Sequence, residues 1–360
     1  MDVAIVGAFG SVGRQLAVQV LQRQMLEGTS RIQLVGHQSG MSEREMFGLR
    51  SDLADAFIDE APTIEVGTDP SFIDADLVVM IAGATVPRTL GVPVDRSALA
   101  ATNAAIFDGY ARELARRDRD VTVIVQSNPV ELGVEIFSNH LDRHRVLGAG
   151  AWNDTLRFRR ELARDLGVRR PDVSASVVGE HGDHMVPLWS QVKVRGVPQA
   201  DVAHAIGAIR RGRELAGFSD EIIEARTRIL GLVADDRIEE AYDDLEGLSP
   251  DLRAAVKPFF IHFTSGSTTE VATAHAVADI LGALLAGDRK VVAAQVKIEG
   301  EWNGATGVTG AQVILDEWGW SELVDMDLPD DESAALAAAL DAVTESHRDL
   351  VKSLERPDQP

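Results

Sequence analysis

The sequence predicts an α/β protein: a doubly wound parallel sheet over residues 1–150, followed by an α+β unit over 151–355. Three observations carry this. Short apolar, β-rich runs alternate with helical stretches through the first 150 residues. A glycine-rich turn joins the first such run directly to the first helical stretch. After about residue 150 the pattern changes, with no low-complexity linker and no internal repeat. Continuous apolar strands joined by helices need a sheet covered on both faces, and the right-handed crossover makes the doubly wound form the default.

The elements follow in order. Val3–Val6 reads as a strand, Ser11–Leu26 as a helix, and Ile32–Val35 as a second strand before an amphipathic stretch near Glu43–Ala56. Thr63–Val66, Leu77–Ile81 and Val121–Val125 are further strands, with a helix over Arg96–Arg117 and a short strand at Val146–Leu147. Beyond the boundary, Asp154–Gly167 reads as a helix. Val173–Val178 and Val192–Val194 read as strands of a mixed or antiparallel layer. Residues from Asp201 to about His262 are mostly helical, with Pro250 and Pro258 as breaks. A helix at Thr268–Leu285, a strand pair at Lys290–Lys297 and Val308–Leu315, and a terminal amphipathic helix at Ser333–Leu354 complete the chain.

Composition narrows the function. The 35 basic and 57 acidic residues give a formal charge of -22, which argues against nucleic acid or an anionic membrane as partner. Only 5 of the basic residues are Lys, a bias that fits a salt-adapted or a GC-rich source without separating them. There is no cysteine, so disulfides, thiolate nucleophiles and Cys-ligated metals are excluded. The longest apolar run, Leu77 to Ala84, is far below the roughly 18 residues of a membrane span. The N-terminus carries an acid where a signal peptide wants a base, so a cytoplasmic location is expected.

The glycine turn is Gly7-Ala8-Phe9-Gly10-Ser11-Val12-Gly13. Its position between a strand and a helix predicts a dinucleotide site. Glycines allow the tight turn and the close approach of backbone N–H groups to a pyrophosphate, which sits at the positive end of the helix dipole. In such sites an acid ending the second strand bonds the adenine ribose. Here that strand ends Leu34-Val35-Gly36-His37-Gln38-Ser39, with no acid before Glu43. Without the carboxylate, a 2′-phosphate meets no repulsion, and His37, Gln38, Ser39 and Arg44 are available to it. NADP(H), or use of both cofactors, is therefore expected ahead of NAD alone. The plainer alternative is a polar loop that simply lacks the ribose acid.

Four further strings carry chemistry. They are Gly179-Glu180-His181-Gly182-Asp183-His184 after a strand, Asn153-Asp154-Thr155-Leu156-Arg157 near a helix start, Ser127-Asn128-Pro129-Val130, and a loop bearing Arg88 and Arg96. Asp154 and Arg157 are three apart, so both side chains can share a helix face. Together with the glycine turn, these strings resemble the lactate/malate dehydrogenase family, most of all its archaeal-type malate dehydrogenases. The likeness spans roughly residues 1–195. It returns over about 264–350, where Gly266-Ser267-Thr268 and Gly300-Glu301-Trp302 look like family signatures.

The resemblance implies a Rossmann domain, an NAD or NADP cofactor, and reversible hydride transfer between (S)-malate and oxaloacetate. A proton must move on the C2 oxygen, and histidine is the side chain that titrates near neutrality. By resemblance His181 is that acid/base, with Asp154 orienting the ring and stabilising its charge. Arg157 is the two-pronged donor for the substrate carboxylate, and Arg96 arrives over the carbonyl oxygen when the loop closes. Asn128 contacts the substrate and helps to place the nicotinamide, Gln126 and Asn103 are cofactor contacts, and Thr268 lines the far wall. No metal is expected, and His140, His144, His204, His262 and His275 read as fillers. His184 stands where the family usually has a small hydroxyl residue and receives no role.

Two features strain the likeness. Arg88 matches the arginine that pairs with malate's second carboxylate, yet it lies eight residues before Arg96, against the usual six or seven. Counted back from Arg96, Leu90 takes the specificity position instead, which favours a lactate-like or bulkier monocarboxylate. Residues 198–264 are longer than the usual helical connection. They extend a subunit interface, cover the mouth of the site, or lie on the surface as an insertion. Malate remains the preferred substrate, a homodimer or homotetramer the expected assembly, and a nucleotide-binding regulator without turnover the alternative of another class.

Overall fold

The structure, a computed structural model, describes residues 1–37, 41–85, 96–265 and 269–355, without the side chains of 41–43, 96 and 355. Ser39, Arg88 and Thr268 lie outside the described residues, as do Gln38, Leu90 and the side chain of Arg96.

The first half runs β1 (Val3–Val6), α1 (Ser11–Gln22), β2 (Arg31–Val35), α2 (Met41–Ala56), β3 (Thr63–Gly67), β4 (Leu77–Met80), α3 (Arg96–Ala115), β5 (Thr122–Val125), α4 (Val130–Ser138) and β6 (Val146–Gly148). Its six strands are parallel in the order β3-β2-β1-β4-β5-β6. All of β1 and β4 is buried, as runs of apolar residues without alternation require. The side chains still alternate between two cores. Val3, Ile5, Leu77 and Val79 face Leu16 and Val20 of α1, whereas Ala4, Val6, Val78 and Met80 face Phe107 of α3 and Leu132 of α4. Each fully buried aliphatic side chain contributes about 1.5–3 kcal/mol, so a charged residue at Ile5 or Val79 would undo the layer.

The second half runs α5 (Gly150–Asp165), β7 (Val173–Ser174), β8 (Val177–Gly179), β9 (Met185–Pro187), β10 (Lys193–Val194), α6 (Gln199–Arg210), α7 (Phe218–Ala234), α8 (Ile238–Gly247), α9 (Pro250–Thr264), α10 (Glu270–Ala286), β11 (Val291–Glu299), β12 (Thr306–Asp316), β13 (Gly319–Leu323) and α11 (Asp330–Glu355). The two halves share one sheet. β6 pairs antiparallel with β11 at Gly148 and Gln295, and β12, β8 and β9 continue from there.

The sequence expectation lacks α4, β9 and β13, and three of the elements it does contain differ in form. Val173–Val178 is two strands: Ala175 O accepts from the Arg159 side chain (Nε, 2.8 Å), and from Ser176 O, which accepts from Leu188 N (2.9 Å), the chain is in register with β9. β7 then pairs with β10, outside the main sheet. Pro258 does not break the chain but sits inside α9, where it only withholds the N–H that would bond the Ala254 carbonyl. The helix carrying Asp154 begins a turn earlier, at Gly150. There the buried Gln295 Oε1 accepts the Ala151 N–H (3.1 Å) and so caps α5 from β11.

Candidate active site

Gly7 N and Ala8 N both donate to Val35 O, at 2.8 and 3.2 Å, which pins the glycine turn to the end of β2. Gly7 has φ +91°, and a Cβ there would sit 2.7 Å from Ala82 N, so the position takes glycine alone. Gly10 is the N-cap of α1 without a side-chain cap, and the first turn, Ser11, Val12 and Gly13, holds no acid. These open N–H groups at a positive helix end fit a pyrophosphate, and Phe9 is buried behind the turn. Gly36, buried, and His37, exposed, follow β2.

The loops after β4 and β5 are tied to each other. Ser127 Oγ donates to Ala82 O (2.7 Å). The Asn103 amide, 1% exposed, donates to Ala84 O (3.0 Å) and Asn128 O (2.6 Å) and accepts from Ala84 N (2.6 Å). Asn103 thus braces the two loops through its side chain. Gln126 is buried beside them, and its Oε1 finds no donor among the described residues. The peptide Asn128–Pro129 is cis. The crevice formed at the carboxyl ends of β1, β4 and β5 is where doubly wound sheets receive ligands.

From Asn128 the chain enters α4, and Glu131 Oε1 accepts the backbone N–H of His181 at 2.6 Å. His181 sits in the turn between β8 and β9. Its Nδ1 lies 2.6 Å from Asp154 Oδ2 on α5, and Asp154 Oδ1 accepts from Arg157 Nη1 at 2.8 Å. Arg157 Nη2 donates to Thr269 Oγ1 (3.0 Å), which in turn lies 3.1 Å from Thr273 Oγ1. The ring approaches α5 so closely that a Cβ on Gly150 would stand 2.5 Å from His181 Cγ. His184, left without a role by the sequence, braces its own turn: its N–H (3.0 Å) and Nδ1 (2.7 Å) both meet Glu180 Oε2.

The electrostatics follow from burial and partners. Burial opposes charge on His181, but the Asp154 carboxylate outweighs it and holds the ring's pKa above the ordinary histidine value. Burial likewise opposes charge on Asp154, yet His181 and Arg157 hold its carboxyl below the usual range. Glu131 is 2% exposed, and burial, with the Glu180 charge behind it, pushes its pKa up to about 7.

The structure therefore brings His181, Asp154 and Arg157 into one cluster, linked through Glu131 and Asn128 to the loops over the glycine turn. The sequence pattern does not mark Glu131, Thr269 or Thr273, although Thr269 adjoins Thr268. Among the described residues, no group of three or more His, Asp or Glu is placed to hold a metal ion, and no helix is long and apolar enough to cross a membrane.

A six-stranded parallel sheet with an uncapped glycine turn at its switch point is the fold of dinucleotide-binding oxidoreductases. Comparison gives the family. The model for the lactate/malate dehydrogenase NAD binding domain matches residues 1–148, and that for the lactate/malate dehydrogenase alpha/beta C-terminal domain matches 153–234. The chain belongs to the lactate/malate dehydrogenase family. It is 28% identical over 351 residues to an L-2-hydroxycarboxylate dehydrogenase (NAD(P)(+)) of Methanocaldococcus jannaschii, covering 95% of this chain and 97% of the relative. It is 26% identical over 362 residues to a malate dehydrogenase of Methanothermobacter thermautotrophicus, covering 99% and 98%. A lactate dehydrogenase of Cryptosporidium parvum, solved with lactic acid and β-nicotinamide adenine dinucleotide, superposes with a TM-score of 0.75 at 22% identity, covering 99% and 98%. At that identity the likeness is one of fold.

Proposed function

We propose that the protein is an NAD(P)-dependent malate dehydrogenase that interconverts (S)-malate and oxaloacetate. The observation that carries the reading is the cluster of Asp154, His181 and Arg157, with Asp154 Oδ2 2.6 Å from the His181 ring. Residues 1–150 hold the cofactor and 151–355 the substrate chemistry. Gly7 to Gly13 would receive the pyrophosphate, Gly36, His37 and Ser39 the adenosine end, and Gln126 and Asn128 the nicotinamide end. Asn103 acts here as a brace. The bound nicotinamide supplies or accepts the hydride.

The chain's own residues handle charge and protons. In the reductive direction His181 enters protonated, held so by Asp154, and gives its Nε2 proton to the C2 oxygen. In the oxidative direction it takes that proton back. Arg157 has five N–H donors, of which, among the described residues, Asp154 and Thr269 each take one, so the fork has donors to offer the C1 carboxylate. Arg96 stabilises charge on the carbonyl oxygen, Thr268 bounds the substrate, and Arg88 takes the second carboxylate. The absence of an acid at Gly36 and His37 supports NADP(H) or dual use, in keeping with the NAD(P)(+) in the name of the Methanocaldococcus jannaschii relative.

A second reading, a dehydrogenase of lactate or a bulkier 2-hydroxy acid, is favoured by the eight-residue spacing of Arg88 and Arg96. The test is a matrix of NADH and NADPH against oxaloacetate, pyruvate and 2-oxoisocaproate. Oxaloacetate with NADPH is expected to give the highest kcat/KM. A clear pyruvate preference overturns malate, and cofactor binding without any turnover supports the regulator. The protein is expected to be a cytoplasmic homodimer or homotetramer, which light scattering and fractionation check.

A further inference from the structure

The turn that carries His181 is short and is held from outside as well as from within. Glu131 takes the main-chain N–H of His181 on one side. On the other, two residues on, the Asp183 carboxylate receives Arg226 of α7 in a two-pronged contact, Nη1 to Oδ1 (2.5 Å) and Nη2 to Oδ2 (3.0 Å). Both side chains are withdrawn from water, at 13% and 17% exposure, so the pair is screened far less than a surface ion pair. The guanidinium lies over the Phe259 ring of α9, 4.8 Å from its centroid, which fixes the plane of the fork. Helix α9 is itself anchored to α5, the helix of Asp154 and Arg157. Arg253 Nε donates to Glu161 Oε2 (2.9 Å), and Lys257 Nζ donates to Glu161 Oε1 (2.9 Å), with Arg253 and Glu161 both buried. Helices α7 and α9, packed on each other, thus touch both sides of the His181–Asp154 contact.

We propose that Arg226 is a positioning residue for His181: its fork on Asp183, aligned by Phe259, sets the turn so that the ring meets Asp154. The proposal rests on the reading of His181 as the acid/base. It gives the segment that looks like a surface insertion a part in the reaction. A displacement of the ring by a fraction of an ångström weakens both the alignment with substrate and the hold of Asp154 on the ring proton. Misplacements of about 1 Å cost up to roughly a hundredfold in rate.

The experiment compares Arg226→Met, Arg226→Lys and Asp183→Asn with wild type in oxo-acid reduction, reading kcat, KM and the pH profile of kcat/KM, with cofactor binding and thermal melting alongside. Arg226→Met is expected to lose about tenfold or more in kcat. Cofactor affinity should stay near wild type, and the alkaline limb of the profile should move to lower pH as the ring loses its hold on the proton. Arg226→Lys, with the charge but not the fork, should fall between. Adding Asp183→Asn to Arg226→Met should cost little more, because both act through one contact. A wild-type kcat and pH profile overturns the proposal. So does a loss of activity that only tracks the folded fraction, with the profile unmoved. Should Arg226→Met fail to fold, the Lys and Asn variants read the same limb. His181→Asn separates the two claims: if it is inactive while the Arg226 variants are normal, only the positioning role fails, and if it is active the acid/base reading itself fails.

Discussion

Glu131 Oε1 lies 2.6 Å from the main-chain N of His181, while Asp154 Oδ2 lies 2.6 Å from its ring, so one histidine is held by two buried carboxylates from different helices. The first carboxylate is the less expected, since its pKa is pushed up to about 7.

Glu131→Gln keeps an acceptor for the His181 N–H and removes the charge. A carboxyl whose pKa is raised on folding, here from 4.5 to about 7, adds stability below the unfolded value and loses it as pH climbs to the folded one. The ceiling on that loss is about 3 kcal/mol. Urea unfolding at pH 5 and pH 8 should therefore show the variant gaining on wild type by about 1–3 kcal/mol at the higher pH. A difference that is the same at both pH values would mean that Glu131 ionises freely.

His181→Asn should abolish nearly all turnover, by about a hundredfold to ten-thousandfold, with cofactor binding close to normal. Fluorescence titration with NADPH separates the two effects. Loss of binding instead would mark the histidine as structural.

Asp154→Asn leaves an amide beside the ring and takes away the charge that holds its proton. The folded histidine's raised pKa should drop, so that oxo-acid reduction, which needs the protonated ring, fails at lower pH than in wild type. A pH–rate series for kcat/KM reads the limb directly, and a limb that stays put would assign the proton to another group.

Gly36→Asp restores an acid at the end of β2. Gly36 N donates to Gly67 O (2.9 Å), a main-chain bond that the substitution leaves in place. The NADH-to-NADPH ratio of kcat/KM should rise by about tenfold or more, through repulsion of the 2′-phosphate. An unchanged ratio would move the adenosine site elsewhere.

Arg253→Met should destabilise the protein by about 2–4 kcal/mol, because it leaves the buried Glu161 with one cation fewer and Asp165 without its partner from α9. Chemical denaturation gives the value. A change below about 0.5 kcal/mol would mean that the Arg253 contacts add little to the attachment of α9.

What the sequence makes legible is what local pattern encodes. The strands of the first half stand out because both faces are buried, leaving uninterrupted runs such as Leu77-Val78-Val79-Met80. Asp154, Arg157 and His181 stand out because their spacing and their glycine neighbours are unusual for surface residues. Glu131 does not: after Asn-Pro-Val it looks like any acid in a first helical turn, and only the fold reveals that it is buried. The break at Ala175 goes with a carbonyl claimed by the distant Arg159 side chain, a contact that no local pattern announces. Pro258 misleads for the same reason, since α9 is held by the Arg253 and Lys257 contacts on either side of Ala254 and tolerates one missing bond.

The pairing of Gly148 with Gln295 makes the sheet a ruler. Neighbouring strands stand about 4.8 Å apart, and the strand that leads into the His181 turn is joined to the strand of the phosphate turn through the same continuous sheet. The two reactants would then meet at a separation fixed by carpentry far from either of them. A single slip of β11 along β6 would turn Gln295 away from Ala151 and so uncap the helix that carries Asp154.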